Sequence, residues 1–279
     1  MSRVDWPLVP VLLLLLAGCP QANDDDAAND DDAVANDDDS VCGEASGGSG
    51  GALDALVWFD QAGNVVTGEG SAEYHTLVYS PSSATVTPTP VLLLVGRRMP
   101  TVRSENEAIF EGLGMLDWAE DYGWTTILAN PGDTGGGQIN WTGSNTDEAF
   151  FDDALDVVAA NYDIDLDRIH AAGSSAGGRA ATLLGYLHGE RLASIANHAG
   201  SNPFSPWPDT PWDHDCAGFF IHGETDNIVP RAAVEDVRDM FENAGQVTGT
   251  HFDYAFGHEW RPDGFFPEMK AFFDSVCNE

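Results

Sequence analysis

The segment HAAGSSAGGRAATLL, residues 170–184, decides how the rest of this sequence is interpreted. Small residues stand between an apolar run that is typical of a strand and an apolar run that is typical of a helix. Such a tight turn between a strand and a helix can serve packing alone, or it can hold a reactive serine. The rest of the chain must decide between these two interpretations.

Strands and helices alternate on both sides of this turn. We predict strands at 73–79, 91–95, 125–129, 168–172, 192–198, 217–222 and 251–256, and helices at 105–121, 147–162, 176–187, 231–244 and 266–276. The alternation predicts the α/β class, with a doubly wound, mostly parallel sheet that binds ligands beyond the carboxyl ends of its strands. The connection formed by residues 202–215 is short, so we predict no large cap domain.

The turn fits the pattern G-x-S-x-G with Ser175 at its centre, whereas Ser174 has alanines two residues away on both sides. In that pattern the central residue has a positive φ, and a Cβ atom two residues away would strike the neighbouring backbone. The turn lifts the serine Oγ above the sheet edge at a helix N-terminus, which favours negative charge. Ser175 is therefore the candidate nucleophile.

A nucleophilic serine needs a base, and the base needs a carboxylate that orients it. The segment FFIHGETDNIVP supplies a strand and then a loop that carries Glu224 and Asp226. Beyond Asp226 there are only two histidines: His251 begins the predicted strand, at its wrong end, and His258 follows that strand at the catalytic edge. The chain order of serine, acid and histidine predicts a triad of Ser175, one of these acids and His258.

The segments DLDRIHAAGSSAGG, FIHGETDNIVP and FGHEW resemble the polyhydroxybutyrate depolymerase and feruloyl esterase-like group of α/β-hydrolases. The resemblance runs from about residue 74 to the C-terminus. It implies an α/β-hydrolase fold with Ser175 as nucleophile, Asp226 as orienting acid and His258 as general base. The HGxxD pattern of the group favours Asp226 over Glu224. The implied activity is hydrolysis of a carboxylic ester, polymeric or small, and neither a metal nor a cofactor is implied.

The loop after the run VLLLV departs from that group, which usually carries His-Gly there. This chain has Gly96, Arg97 and Arg98 instead. Because an oxyanion hole uses backbone N–H groups, it can survive this change, and we predict that the amides of Ala176 and Arg97 form it. The side chains of Arg97, Arg98 and Arg103 either pair with the acidic surface or bind an acidic group on the substrate.

Aromatic residues could line an open groove beside the serine. We predict that Trp141 and Trp260 contact the substrate there, with Trp207 and Trp212 as further candidates. The alternative for each tryptophan is a role in packing. An open aromatic groove favours a polymer end or an aryl ester over a buried lipid.

The chain carries 46 acidic and 11 basic residues, a net charge of −35. Such a chain repels the phosphates of nucleic acids and anionic lipids, so we exclude nucleic acid as a partner. We expect a monomer whose only membrane contact is an N-terminal anchor.

Residues 1–18 are predicted to be a lipoprotein signal peptide, because the apolar run VLLLLLAGC is too short to span a bilayer. Its end, LAGC, resembles a bacterial lipobox, which implies cleavage before Cys19 and lipidation of Cys19. An ordinary secretory signal is the alternative. The protein is then exported, and it is anchored at the outer membrane or cell surface, or free in the periplasm or medium.

Residues 19–50 contain three Asn-Asp-Asp-Asp blocks and a glycine-rich stretch, and we predict a disordered linker with a flexible joint at its end. Residues 51–279 then form the catalytic domain. If Cys19 is lipidated, Cys42, Cys216 and Cys277 remain. In a parallel α/β fold Cys216 and Cys277 lie at the same sheet edge, so we predict that disulfide. Cys42–Cys277 is the alternative.

Two other functions remain open at this point. A serine peptidase of the same fold would use the same triad, although no propeller or cap domain is present in the sequence pattern to support the oligopeptidase type. A catalytically inactive surface-binding lipoprotein would explain the altered loop at residues 96–98.

Overall fold

The computed structural model describes residues 43–278, apart from 85, 87, 133–137, 143, 205–211 and 213. The predicted signal peptide, Cys19, the Asp-rich repeats and Trp207 lie outside the described residues. Within the described ranges, none of the helices combines the length and the apolar character needed to cross a bilayer.

Nine of the strands form one sheet. The strands along the chain are β1 (Val57–Asp60), β2 (Val65–Val66), β3 (His75–Tyr79), β4 (Thr89–Leu94), β5 (Arg97–Pro100), β6 (Thr125–Asn130), β7 (Gln138–Asn140), β8 (Ile164–Ser174), β9 (Ser194–His198), β10 (Ala217–Gly223) and β11 (Thr248–Tyr254). The large sheet has the order β11-β10-β9-β8-β4-β6-β3-β1-β2, and β5 pairs with β7 separately.

The pairing of this sheet is mostly parallel, as predicted. Every neighbouring pair from β11 to β6 is parallel, whereas β3, β1 and β2 continue the sheet in antiparallel fashion. The parallel part brings the carboxyl ends of β4, β8, β9, β10 and β11 to one edge. The sequence pattern did not reveal β1, β2, β5 and β7, which are short.

Helices cover both faces of the sheet, so the fold is doubly wound. They are α1 (Arg103–Gly112), α2 (Met115–Tyr122), α3 (Asn145–Asn161), α4 (Ala176–Leu187), α5 (Arg231–Asn243) and α6 (Pro262–Phe273). Apolar side chains of α3, α4 and α5 pack in one core, and those of α1, α2 and α6 pack in the other. The fully buried β4 divides its side chains between the two cores, with Val91 facing the first and Leu92 the second.

One predicted helix is broken into two. The apolar periodicity predicts a single helix over 105–121, but α1 ends at Gly112 and α2 begins at Met115. Gly114 has a φ of 77°, a left-handed conformation that interrupts the right-handed helical path. The same apolar face continues across the break, which is why the pattern alone does not show it.

The chain before residue 51 already packs on the domain. The amides of Gly43 and Glu44 donate hydrogen bonds to Asp167 Oδ2, over 2.9 and 2.7 Å. A Cβ atom on Gly48 would lie 2.1 Å from the Ala159 carbonyl oxygen, so this glycine permits close contact with α3. The described chain is therefore held against the domain at Gly43, Glu44 and Gly48, ahead of the predicted start of the catalytic domain at residue 51.

The predicted Cys216–Cys277 disulfide is wrong. Cys277 is disulfide-bonded, whereas Cys216 is a free, buried thiol. The Cys216 side chain points into the core on the side of α4, where it lies against Gly185, but α6 leads to Cys277 from the opposite face of the sheet. Burial raises the pKa of the Cys216 thiol above its ordinary value. The alternative pairing involves Cys42, which lies outside the described residues.

His170 of β8 is a fully buried histidine. Its ring stacks on Trp124 and Phe273, with ring centroids 5.3 and 4.6 Å apart, and its Nδ1 lies 2.8 Å from Ser194 Oγ. Burial lowers the pKa of His170 to about 3. The folded protein therefore holds this ring neutral at pH values where an exposed histidine is charged.

We predict a loss of stability on acidification that originates at His170. Between the unfolded pKa of about 6.5 and the folded value, the unfolded chain binds a proton that the folded protein excludes. The free energy of unfolding should fall by up to about 1.4 kcal/mol per pH unit from this residue alone. Urea denaturation at pH 7, 6 and 5, at constant ionic strength, should show a shallower fall for His170→Asn. Parallel curves would contradict the prediction.

Candidate active site

Ser175 occupies the sharp turn between β8 and α4. Its backbone has φ 54° and ψ −115°, so the predicted positive φ is confirmed. Its amide donates to the carbonyl oxygen of His198, over 2.7 Å. A Cβ atom on Gly173 would lie 2.4 Å from the carbonyl carbon of Gly177, and a Cβ atom on Gly177 would lie 2.4 Å from the Val95 carbonyl oxygen. Both glycines are therefore required by the neighbouring backbone, as predicted.

The turn places Ser175 at the N-terminus of α4. Its side chain makes no capping hydrogen bond, and the Ser175 carbonyl accepts the first helical bond, from the Arg179 amide over 3.0 Å. The earlier amides of the helix, including that of Ala176, have no acceptor within the helix. The predicted oxyanion donor Ala176 thus lies at a helix end that favours negative charge.

The predicted second oxyanion donor, Arg97, begins β5 just beyond the end of β4. The Val95 amide bonds to the Ala172 carbonyl over 2.8 Å, and β5 then pairs Arg97 with Asn140. The Arg98 amide donates to Asn140 Oδ1 over 3.0 Å. The pairing with Asn140 therefore holds the altered loop against β7, just after β4 ends beside the serine turn. The structure describes the Arg97 backbone but not its side chain.

Asp226 and His258 form a hydrogen-bonded pair after β10 and β11. Asp226 Oδ2 lies 2.8 Å from His258 Nδ1, and Asp226 Oδ1 accepts from the amides of Ile228 and Val229, over 2.8 and 3.0 Å. Burial acts to raise the pKa of Asp226, but these hydrogen bonds outweigh it and the pKa is lowered. The carboxylate therefore stays ionised and orients the imidazole, whereas the alternative acid Glu224 is exposed.

Parallel strands bring Ser175, Asp226 and His258 to the same edge of the sheet. Among the described residues, no hydrogen bond joins the Ser175 hydroxyl to His258, and separate hydrogen bonds hold the serine turn and the Asp226–His258 pair. The described part of the chain also holds no group of three or more His, Cys, Asp or Glu side chains arranged to bind a metal.

His198 supports the serine turn from the neighbouring strand. It ends β9, its carbonyl accepts from the Ser175 amide, and its ring Nδ1 lies 2.8 Å from Ser174 Oγ. The ring is buried and stacks on Phe265 at 5.5 Å between centroids. Burial and the nearby His258 lower the pKa of His198 to about 4. Its position at a strand end is visible in the sequence, but the triad order places the catalytic histidine after the acid, so the sequence pattern does not single out His198.

The predicted substrate-contacting tryptophans take different roles. Trp141 lines a hollow of about 170 Å³ that also includes Ala176. Trp260 is held by packing, with its Nε1 donating to the Leu113 carbonyl over 2.9 Å and its ring against Phe265 at 4.8 Å. Trp212 packs against the core. Of these three tryptophans, Trp141 is the one that borders a described hollow at the serine turn.

Arg103 is excluded as a substrate-binding residue. Its side chain is buried, and its guanidinium donates to the carbonyl oxygens of Thr67 and Gly68. It fastens the segment after β2, and it forms no ion pair with a carboxylate of the described residues. Arg98, which belongs to the altered loop, is exposed.

No protein-family model and no curated protein matches the sequence. Solved structures are similar in fold. An α/β-hydrolase enzyme, MGS-M1, from a Medee basin deep-sea metagenome library is 15% identical with a TM-score of 0.56, over 79% of this chain and 97% of that chain. A Bacillus cereus carboxylesterase is 19% identical with a TM-score of 0.53, over 72% and 93%. Esterase PE8 is 19% identical with a TM-score of 0.54, over 71% and 99%.

These similarities show the α/β-hydrolase fold that the sequence resemblance implied. The neighbours are covered almost completely by this chain. The described residues between β9 and β10 form no helix or strand, in agreement with the predicted lack of a large cap.

We predict that Gly177→Ala destabilises the protein, because the new Cβ would meet the Val95 carbonyl oxygen at 2.4 Å. Overpacking of this kind costs about 1–3 kcal/mol. Gly112→Ala is the matched control, since nothing lies within 4 Å of its Cβ position. That variant should be neutral or more stable by up to about 1 kcal/mol. Urea denaturation measures both, and equal effects would refute the proposed contact.

Proposed function

We propose that this protein is an exported serine hydrolase that cleaves carboxylic esters. The observation that carries the proposal is the hydrogen bond between the partly buried His258 and the unexposed carboxylate of Asp226, at the sheet edge that also presents the positive-φ Ser175. Among structures of similar fold, one is a carboxylesterase and another an esterase, which supports this class of reaction.

In the proposed reaction the Ser175 Oγ attacks the ester carbonyl carbon. His258 Nε2 takes the serine proton, because Nδ1 is engaged with Asp226. The same proton is then given to the leaving alcohol. The amides of Ala176 and Arg97 stabilise the negative oxygen of the tetrahedral intermediate. A water molecule, activated by His258, then releases the acyl group from Ser175.

Orientation of the imidazole is the part of this mechanism that the fold supports most directly. Asp226 is fixed by backbone amides and its carboxylate has no exposed surface, so its position does not depend on solvent. An ionised carboxylate at Nδ1 stabilises the imidazolium that forms during the attack.

Export is supported by two independent features. The LAGC sequence before residue 20 resembles a lipobox. Cys277 is disulfide-bonded, and structural disulfides persist in oxidising compartments outside the cytosol. We propose lipidation at Cys19, anchoring at the outer membrane or cell surface, and the Asp-rich segment as a spacer.

The two adjacent serines give a matched test of the nucleophile. Ser175→Ala should lower kcat on 4-nitrophenyl esters, acetate to octanoate, by about 10⁴-fold or more, because a triad acts as a unit. Ser174→Ala should retain activity within about tenfold, since that hydroxyl contacts His198 rather than substrate.

A fluorophosphonate label located by peptide mass spectrometry should appear on Ser175 and be absent from the Ser175→Ala protein. A label on Ser174, or equal loss in both variants, would contradict the assignment. A folded wild-type protein without activity on the whole ester series would overturn the esterase proposal and favour the inactive surface-binding lipoprotein.

The orienting acid has its own matched control. Asp226→Asn keeps the size of the side chain but removes the charge that faces His258 Nδ1, and kcat should fall by about 10⁴-fold. Glu224→Gln, in the same loop but exposed, should leave kcat unchanged within about twofold. Steady-state kinetics on 4-nitrophenyl butyrate measures both, and a larger loss in Glu224→Gln would reverse the assignment of the acid.

A further inference from the structure

Arg179 is a positive charge beside the serine that has no ion pair with any described residue. The protein carries 46 acidic and 11 basic residues, so an arginine in this protein is expected to have a carboxylate close enough for an ion pair. Ion pairs of that kind are made by Arg168, Arg191, Arg231, Arg238, Arg261 and Lys270. Arg179 is only partly exposed, and none of these pairs includes it.

Arg179 lies one helical turn beyond Ser175. Its backbone amide donates to the Ser175 carbonyl, and its Nη2 donates to the Pro203 carbonyl over 3.0 Å. A guanidinium has five N–H donors. One bond to Pro203 leaves the others without an acceptor among the described residues, so Arg179 can bind a further group that accepts hydrogen bonds.

The space in front of this side chain is a hollow suited to a small anion. It measures about 170 Å³ and is bordered by Arg179, Ala176, Trp141 and Pro203. None of its described lining residues is acidic. The guanidinium and the N-terminus of α4 both favour negative charge there. Trp141 forms one wall, and its buried Nε1 has no acceptor in the described structure.

The size of the hollow matches a small substrate group. A cavity of about 150 Å³ accommodates a molecule the size of benzene. A chain of a few carbon atoms ending in a carboxylate is of that size and fits the hollow of about 170 Å³. Because Ala176 is shared with the proposed oxyanion hole, such a chain would begin close to the scissile ester bond.

We propose that Arg179 binds a carboxylate of the substrate, so that the preferred esters carry a second, ionised carboxyl group a few atoms from the scissile bond. Arginine and carboxylate form short, charge-assisted hydrogen bonds, and these can be bidentate. The proposal rests on the proposed esterase function. It assigns Arg179, rather than Arg97 or Arg103, as the arginine that recognises an acidic substrate group.

Two matched ester pairs test the proposal and locate the carboxylate. Monoethyl succinate and ethyl butyrate differ in a carboxylate on the acyl side. The 3-acetoxypropanoate ion and propyl acetate differ in a carboxylate on the alcohol side. Hydrolysis is followed by titration of the released acid, at fixed ionic strength, for wild type, Arg179→Met and the control Arg231→Met. Arg231 is an exposed residue of α5 paired with Glu235 and is not part of the described lining of the hollow, so its variant removes the same charge outside the proposed anion site.

We expect the wild type to prefer one carboxylate ester over its neutral partner. Arg179→Met should lower kcat/KM for that ester by about 10- to 100-fold, the effect of losing a hydrogen bond between charged groups. The neutral esters should change by less than about threefold, which also shows that the variant is folded. Arg231→Met should leave the preference intact. Equal losses on charged and neutral esters would overturn the proposal and leave Arg179 a purely structural contact to Pro203.

A binding measurement separates this proposal from the esterase proposal. Calorimetric titration with succinate and with 3-hydroxypropanoate should show binding of at least one acid to the wild type and a loss of at least tenfold in affinity for Arg179→Met. If no ester is hydrolysed but this difference is found, the esterase proposal fails and the anion site stands. If neutral esters are hydrolysed but neither acid binds and no carboxylate ester is preferred, the anion site fails alone.

Discussion

The close approach of backbone at the serine turn is the constraint on which the rest of the site depends. The Val95 carbonyl at the end of β4 touches the positions where Gly173 and Gly177 would carry side chains. From the other side, the His198 carbonyl at the end of β9 accepts from the Ser175 amide. The turn is therefore held between its two neighbouring strands, and Ser175 keeps its positive φ because the surrounding backbone leaves no other path.

The same close packing determines where charge can lie. Asp226 is buried, yet its carboxylate is satisfied by two backbone amides and by His258, so burial does not neutralise it. Burial instead lowers the pKa of the His198 ring, whose Nδ1 lies 2.8 Å from the Ser174 hydroxyl. Two neighbouring groups at one sheet edge thus differ in charge, because the carboxylate stays ionised and the buried ring is held neutral.

The acidic character of the chain gives Arg179 its significance. Ion pairs with carboxylates one helical turn away are formed by Arg231 and Arg238 of α5 and by Lys270 of α6. Such pairs are expected in a protein with a large excess of acidic residues. Arg179 forms no such pair with the described carboxylates, and it lies between the serine turn and Pro203. A positive charge kept in this position, at a helix N-terminus, makes the environment of the serine more favourable to anions than the net charge of the protein implies.

The sequence by itself determined the order of the helices and of the longer strands, the serine turn and the chain positions of Asp226 and His258, because apolar periodicity and the spacing of glycines report local backbone geometry. The sequence pattern does not show the break between α1 and α2 at Gly114, because one apolar face continues through both helices. Only the tertiary structure decided the roles of His198 and Arg179, because these depend on which strand ends and loops lie beside the turn. It also decided against the Cys216–Cys277 disulfide. Proximity to one sheet edge could be read from the sequence, but the face on which each side chain lies is set by packing on the assembled sheet.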